Sequence, residues 1–75
     1  MDWREHIWID PERMRGQPCM KGTRIPVYVI LDNLALGVDE AEILAEYPTL
    51  SQDHIRAALA FASDLAHDRI LPVPV

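Results

Sequence analysis

The chain has 75 residues, which suits one small domain, and its 49% hydrophobic and 25% charged residues are typical of a folded protein. The net charge of −5 argues against indiscriminate binding to nucleic acids, which depends on neutralising phosphates. A single cysteine excludes an intrachain disulfide, so we expect so small a core to be reinforced by a partner chain, in a homodimer or a hetero-complex. No apolar run approaches the ~20 residues of a membrane helix, and we expect a cytoplasmic protein without membrane association.

Residues 1–26, here called the basic arm, are expected to contain short β-strands and no helix. Residues 7–9 are rich in β-prone side chains, and glycines and prolines interrupt the second half of the arm. Two further extended pieces are predicted around residues 19–20 and 23–25, with a bend at Lys21-Gly22.

The charge of the chain is unevenly distributed. The basic arm holds five basic and four acidic residues, a net +1, whereas residues 27–75 hold two basic and eight acidic residues, a net −6. An anion would therefore be bound most favourably by the arm, and the candidate DNA-phosphate contacts there are Arg13, Arg15, Lys21 and Arg24. In the alternative interpretation, the glycines serve turns and Arg24 forms a salt bridge to the acidic helices.

Three helices are predicted over residues 27–66. The first spans 27–36, because Pro26 suits a helix start and Gly37 suits the position after a helix end. Asp39 is the expected N-cap of a second helix over 40–46, and Ser51 that of a third over 52–66.

The third helix divides into a core stripe, a flank and an outer face. The predicted core stripe comprises Ile55, Ala58, Leu59, Ala62, Leu65 and Ala66. Ala57 and Phe61 widen the apolar arc and are the candidate dimer interface, although Phe61 could instead pack on the N-terminal strands. On the outer face, Gln52 and Arg56 are candidate DNA-reading residues, but Asp53 and Asp64 would repel phosphates.

These elements predict a mostly α fold: a three-helix helix-turn-helix domain, homeodomain-like or winged-helix-like, preceded by short N-terminal β-strands. Residues 1–75 would form one domain, made of the basic arm, the helices over 27–66 and an extended tail over 67–75. Helical bundles without any role in nucleic-acid binding share these proportions.

No catalytic or metal-binding residue is predicted. The stretch from Gly16 to Arg24 does not match the spacing of a Walker loop or of a phosphatase loop, and no histidine is placed to activate Cys19. His54 and His67 would lie on different sides of one helix and could not share a metal. We expect neither an enzyme nor a bound cofactor.

Several motifs taken together resemble a prokaryotic family of domains of unknown function, DUF433. They are Gly16-x-Pro18, the run from Lys21 to Val27, Glu42-Ile43-Leu44-x-x-Tyr47-Pro48-x-Leu50 and Ile55-x-x-Ala58-Leu59-x-Phe61-Ala62. The resemblance implies a helix-turn-helix fold preceded by short strands. It also implies an antitoxin, because members are often encoded beside a PIN-like nuclease toxin, but it brings no established site residues.

Three functions are compatible with these observations. The first is an antitoxin of a type II toxin–antitoxin pair, which binds and neutralises a PIN-like nuclease and, as a dimer, its own operator DNA. The second is a protein-interaction module without DNA binding, and the third, disfavoured, is an enzyme. In the first, the apolar residues of the tail would engage the toxin or, alternatively, fold back on their own dimer. These residues are Ile70, Leu71, Val73 and Val75.

Overall fold

A computed structural model describes residues 1–12 and 14–68, and it shows a small antiparallel sheet packed against three α-helices. The strands are β1 (Ile7–Trp8) and β2 (Cys19–Met20), and the helices are α1 (Val27–Ala35), α2 (Glu40–Glu46) and α3 (Gln52–Asp68). A single 3-10 turn occurs at Trp3–Glu5, and Met14–Gly16 forms a turn in which all three residues have positive φ angles, of 51°, 57° and 78°. The prediction of a mostly helical chain with short N-terminal strands is confirmed, and the helix-turn-helix assignment stays a prediction.

The two strands pair antiparallel, with Ile7 opposite Met20 and Trp8 opposite Cys19. The predicted bend follows β2, where Gly22 adopts a φ of +82° that L side chains rarely reach. Thr23 closes this bend, because its hydroxyl donates to the Met20 carbonyl at 2.8 Å and accepts from the Ile25 N–H at 3.0 Å. The second extended piece is therefore displaced along the chain: Thr23 and Arg24 form the bend, and the backbone at Ile25 and Pro26 pairs with β2, through the Met20 N–H bonded to the Ile25 carbonyl at 2.9 Å and an isolated antiparallel bridge between Cys19 and Pro26.

Helix α1 ends in a Schellman motif. Gly37 has a φ of +88°, its N–H donates to the Leu34 carbonyl, and the Val38 N–H donates to the Asn33 carbonyl, both at 3.0 Å. These bonds satisfy carbonyls that the end of the helix would otherwise leave unpaired. Pro26 precedes α1 as its N-cap, with an extended backbone, instead of forming the first helical residue.

The next two helices begin where their capping residues predict. The Asp39 carboxylate accepts the Glu42 N–H at 2.9 Å, which fixes the start of α2. Helix α3 begins after Ser51 and continues to Asp68, two residues beyond the predicted end.

The core lies where β2 and all three helices meet. Its largest fully buried side chains are those of Met20, Val27, Ile30, Ile43 and Ile55. The predicted core stripe of α3 is wrong at Leu59 and Leu65, which are 50% and 43% exposed, and at Ala66, which is also exposed. The N-terminal segment packs against the Phe61 side of α3, so the buried face of the helix is rotated toward Ala57 and away from Leu59.

Candidate binding surfaces

The start of α3 is fixed to the basic arm by His54. The Ser51 hydroxyl accepts the His54 N–H at 3.3 Å, and the His54 Nδ1 accepts the Ser51 N–H at 3.0 Å. Since Nδ1 accepts, the neutral ring carries its proton on Nε2, which lies 3.1 Å from the Lys21 carbonyl and donates to it. One side chain therefore caps the helix and holds the turn of the arm beside it.

The sequence patterns considered above do not predict this double role of His54. A signal was present, because His54 stands three residues after a capping serine. Glutamate or glutamine at that position completes a capping box by accepting the N–H of the cap, and an imidazole nitrogen offers the same kind of acceptor.

The described basic residues of the predicted DNA-contacting set are exposed to solvent. They are Arg15, Lys21, Arg24 and Arg56, and Gln52 is exposed with them. Across residues 1–12 and 14–68, the one ion pair joins Arg4 to Asp2 at 3.5 Å on the surface. The alternative in which Arg24 forms a salt bridge to the acidic helices is therefore not observed in this part of the chain. Arg13 lies outside the described residues.

A cleft of about 350 Å³ is lined by residues of the two strands, of the segment that joins them and of the turn after β2. Its lining includes Trp8, Asp10, Met14, Gln17, Thr23 and Arg24. Arg24 is thus part of a concave surface, while Arg15 and Lys21 do not line this cleft. The volume falls at the lower end of the range of small-molecule pockets.

The two candidate dimer-interface residues differ in accessibility. Ala57 has no accessible surface in the single chain, so a second chain could not contact it without rearrangement. Phe61 is half-buried and packs edge-to-face on Trp3, with the ring centroids 4.9 Å apart. The alternative in which Phe61 packs on the N-terminal segment thus agrees with the structure, and its contact is with Trp3 rather than with a strand.

Asp64 was expected to repel phosphates from the outer face of α3. Its carboxylate instead accepts the indole N–H of Trp3 at 2.6 Å, which ties the N-terminal segment to α3. The Arg4 guanidinium lies 4.5 Å from the ring centroid of Trp3, within the range of a cation–π contact.

The described residues offer little for catalysis or metal binding. Cys19 is only 5% exposed, and its Sγ donates to the Gln17 carbonyl at 3.4 Å. Both ring nitrogens of His54 are engaged as above. Among residues 1–12 and 14–68, no three histidine, cysteine or carboxylate side chains converge as a metal would require. No helix in this part of the chain is both long and apolar enough to cross a membrane.

The family model of DUF433, described as a protein of unknown function, matches residues 7–62. The chain belongs to the DUF433 family. A related protein, the uncharacterized protein y4eO of Sinorhizobium fredii (strain NBRC 101917 / NGR234), is 34% identical over 59 residues, which are 79% of this chain and 27% of that protein. The crystal structure of a DUF433 member from Anabaena variabilis ATCC 29413 superposes with a TM-score of 0.75 at 31% identity. That match covers 83% of this chain and 61% of the Anabaena chain, so this chain spans only part of both relatives.

The DUF433 match runs from β1 into the second half of α3, and it includes the cleft, the Schellman motif and the His54 cap. The contact of Trp3 with Asp64 lies outside the matched range, as does the proposed toxin-binding tail. Ile70, Leu71, Val73 and Val75 fall in residues 69–75, beyond the part of the chain that the structure describes.

Proposed function

We propose that this DUF433 domain is the antitoxin of a type II toxin–antitoxin pair, which neutralises a PIN-like nuclease and, as a homodimer, binds its own operator DNA. The observation that carries the proposal is the set of four exposed cations that form no ion pair with the described residues, in a chain whose net charge is −5. They are Arg15, Lys21, Arg24 and Arg56. Exposed cations in an otherwise acidic protein favour a localised anionic partner over general attraction to nucleic acid.

The contact between His54 and Lys21 supports the DNA component of this proposal. It holds the turn that contains Lys21 beside the first turn of α3, so that one cation of the arm lies on an element next to the start of the helix. Phosphate contacts from Arg15 and Lys21 would position the domain, and Gln52 and Arg56 would read base edges from α3.

Exposed apolar side chains on the helices support the protein-binding component. Leu36, at the end of α1, is 83% exposed, and Leu59 and Leu65 of α3 are 50% and 43% exposed. Large aliphatic side chains that are exposed to water favour contact with another protein chain. We therefore propose that the second copy of the domain and the nuclease both bind to these helices. We propose that the apolar residues of the tail, from Ile70 to Val75, add to the nuclease contact as an extended segment.

A protein-interaction module without DNA binding is the second candidate. Asp53 in the first turn of α3 and the acidic first turn of α2 favour it, because both place negative charge close to any phosphate approaching these helices. In this candidate, the cations of the arm would contact an acidic surface of the partner protein.

The nuclease component is tested by expressing the full chain together with a PIN-like nuclease encoded beside it. We expect a complex that co-elutes in gel filtration and an RNA-cleavage rate that falls to background in its presence. A chain lacking residues 69–75 should keep its melting temperature and lose inhibition. A nuclease that cleaves RNA equally well with and without the full chain contradicts the proposal.

The DNA component is tested by titrating the upstream promoter fragment at several salt concentrations. We expect Arg15→Ala to reduce the slope of log K against log salt by about 1, since it removes one phosphate contact. Arg56→Ala should instead relax the sequence preference. It should reduce the binding free energy for the preferred DNA site by about 1–3 kcal/mol. Binding that shows no salt dependence, or no binding to the promoter, favours the interaction module.

A further inference from the structure

We propose that the outward side of α1 docks on the cationic RNA-binding surface of the nuclease and thereby keeps RNA from entering it. This side, here called the outer face of α1, consists of Tyr28, Asp32, Ala35 and Leu36. The inference rests on the proposed function, because it takes the nuclease as the partner. It goes further by naming the helix that binds and the part of the nuclease that is bound.

The outer face of α1 combines large apolar side chains with exposure to water. At about 100° per residue, its four positions fall on one side of the helix, within about a third of the circumference. All four residues are exposed, with Leu36 at 83% and Tyr28 at 52%, whereas Val27 and Ile30 on the other side of the helix are buried in the core. An ordered helix that keeps such side chains in water presents a surface for another chain.

The charge around the outer face is uniformly negative. Residues 25–55, which contain α1 and α2, hold six acidic residues and neither lysine nor arginine. Asp32 lies on the outer face itself, and Glu42 and Glu46 are exposed on α2, which packs beside α1. Across residues 1–12 and 14–68, these three carboxylates form no ion pair and accept no hydrogen bond. The surface that complements this face therefore carries positive charge.

A carboxylate oxygen at the start of α2 points to the same kind of partner. Glu40, the first residue of α2, is half-buried, and its Oε1 has neither access to water nor a hydrogen-bond donor among the described residues. Such an oxygen is unfavourable unless positive charge lies close to the carboxylate. A cationic partner beside α2 supplies that charge without having to touch Oε1 itself.

An enzyme that cleaves RNA offers a surface of this chemistry. It must neutralise the phosphates of its substrate, so lysine and arginine line the path that the RNA takes. On α1, the Asp32 carboxylate lies one helical turn from the Tyr28 ring, and one arginine can pair with the first and stack on the second. Leu36, two turns from Tyr28, adds an apolar contact that phosphates do not make.

The experiment measures how tightly the full chain binds the PIN-like nuclease encoded beside it, and how it inhibits cleavage at several RNA concentrations. Because the outer face occupies the path of the RNA, inhibition should be competitive, with an apparent inhibition constant that rises as RNA exceeds its KM. The Kd of the complex should increase with salt, since the attraction between opposite charges is screened. An inhibition constant that does not change with RNA concentration overturns the proposal.

Two variants of the outer face and one matched control identify the contact. Leu36→Ala should weaken the complex about tenfold, as truncation of an apolar anchor in an interface does. Asp32→Lys should weaken it at least about a hundredfold, because it sets a like charge against lysine and arginine side chains. The control is Asp53→Lys, which makes the same change of net charge at an exposed aspartate of α3. It should alter the affinity less than about threefold.

Each result separates this inference from the proposed function. If the chain inhibits the nuclease and the Leu36→Ala and Asp32→Lys variants bind as tightly as the unaltered chain, the inference is overturned and the antitoxin function stands. A chain that does not bind the nuclease overturns both. Equal weakening by Asp32→Lys and Asp53→Lys would show attraction to the overall charge. Outer-face variants that lower only the mass of the free chain in light scattering would assign the face to a second copy, and either result also overturns the inference.

Discussion

The basic arm and the helical region, residues 27–68, are ordered by different kinds of interaction. In the helical region, local signals set the helix boundaries, such as the Schellman motif at Gly37 and the cap at Asp39. In the arm, strands of only two residues are held by bonds between distant positions. The Lys21 N–H donates to the His6 carbonyl at 2.8 Å, and the Val27 N–H to the Pro18 carbonyl at 2.9 Å.

This difference implies that the arm depends on the helices for its order. An isolated two-stranded hairpin is marginally stable at best in water, and these strands are far shorter than average. The arm gains stability by burying Ile7 and Met20 in the shared core and by the contact of Lys21 with His54. The described residues that line the cleft all belong to this dependent region.

The largest expected effect is that of Ile55→Ala, which removes a core side chain of α3 that is 1% exposed. Its loss should reduce the free energy of unfolding by about 2–5 kcal/mol, through lost burial and the cavity left behind. If the arm depends on the helices, urea unfolding followed by circular dichroism and by tryptophan fluorescence should give coincident transitions.

Leu59→Ala is the matched control, since it truncates an aliphatic side chain of the same helix that is half exposed. This substitution should reduce the free energy of unfolding of the free chain by well under 1 kcal/mol, as surface substitutions usually do. Fluorescence that changes at a lower urea concentration than the helical signal would show that the arm unfolds first and that the two regions are separable.

The sequence predicted the helical region well because its signals are local. Asp39, Ser51, Gly37 and Pro48 each act within a few residues, so the helix boundaries were found to within two positions. The short strands were also located, at residues 7–8 and 19–20, from β-prone residues between turn signals.

The candidate sites could not be predicted in the same way, because they depend on packing between distant residues. Only the docking of Trp3 on Phe61 shows that α3 buries Ala57 and exposes Leu59, which reversed the expected roles of these two residues. The cleft is lined by both Trp8 of β1 and Arg24 of the turn after β2, and no pattern in the sequence indicates that these two residues share a surface.

The next effect is that of His54→Ala, which tests the link between the two regions directly. It removes the bonds to the Ser51 N–H and to the Lys21 carbonyl, each worth about 0.5–1.5 kcal/mol, so we expect a loss of about 1–3 kcal/mol in urea unfolding. His54→Gln retains a side-chain acceptor for the Ser51 N–H and should therefore recover part of the lost stability. Faster hydrogen exchange near Lys21 is expected in the alanine variant; unchanged exchange there would remove His54 as the link.

Gly37→Ala and Gly22→Ala compare one turn from each region under the same substitution. Their φ angles are +88° and +82°, and an added methyl group would meet nothing within 4 Å at either position. The cost is therefore conformational, about 1 kcal/mol for each variant. Equal decreases in melting temperature for the two variants would confirm that both turns unfold together with the whole domain. A much smaller loss for Gly22→Ala would show that the arm relaxes locally.

The smallest expected effect is that of Trp3→Phe, which probes the contact between the N-terminal segment and the end of α3. Phenylalanine keeps an aromatic ring against Phe61 but cannot donate to the Asp64 carboxylate, and a hydrogen bond at this exposed position contributes about 0.5 kcal/mol. Asp64→Asn is the matched partner variant, because its amide oxygen still accepts the indole N–H, and it should cost less than Trp3→Phe. The tryptophan fluorescence of Asp64→Asn should remain close to that of the unaltered chain. A loss of stability in Trp3→Phe as large as that in His54→Ala would mean that the arm is held to α3 through Trp3 at least as strongly as through His54.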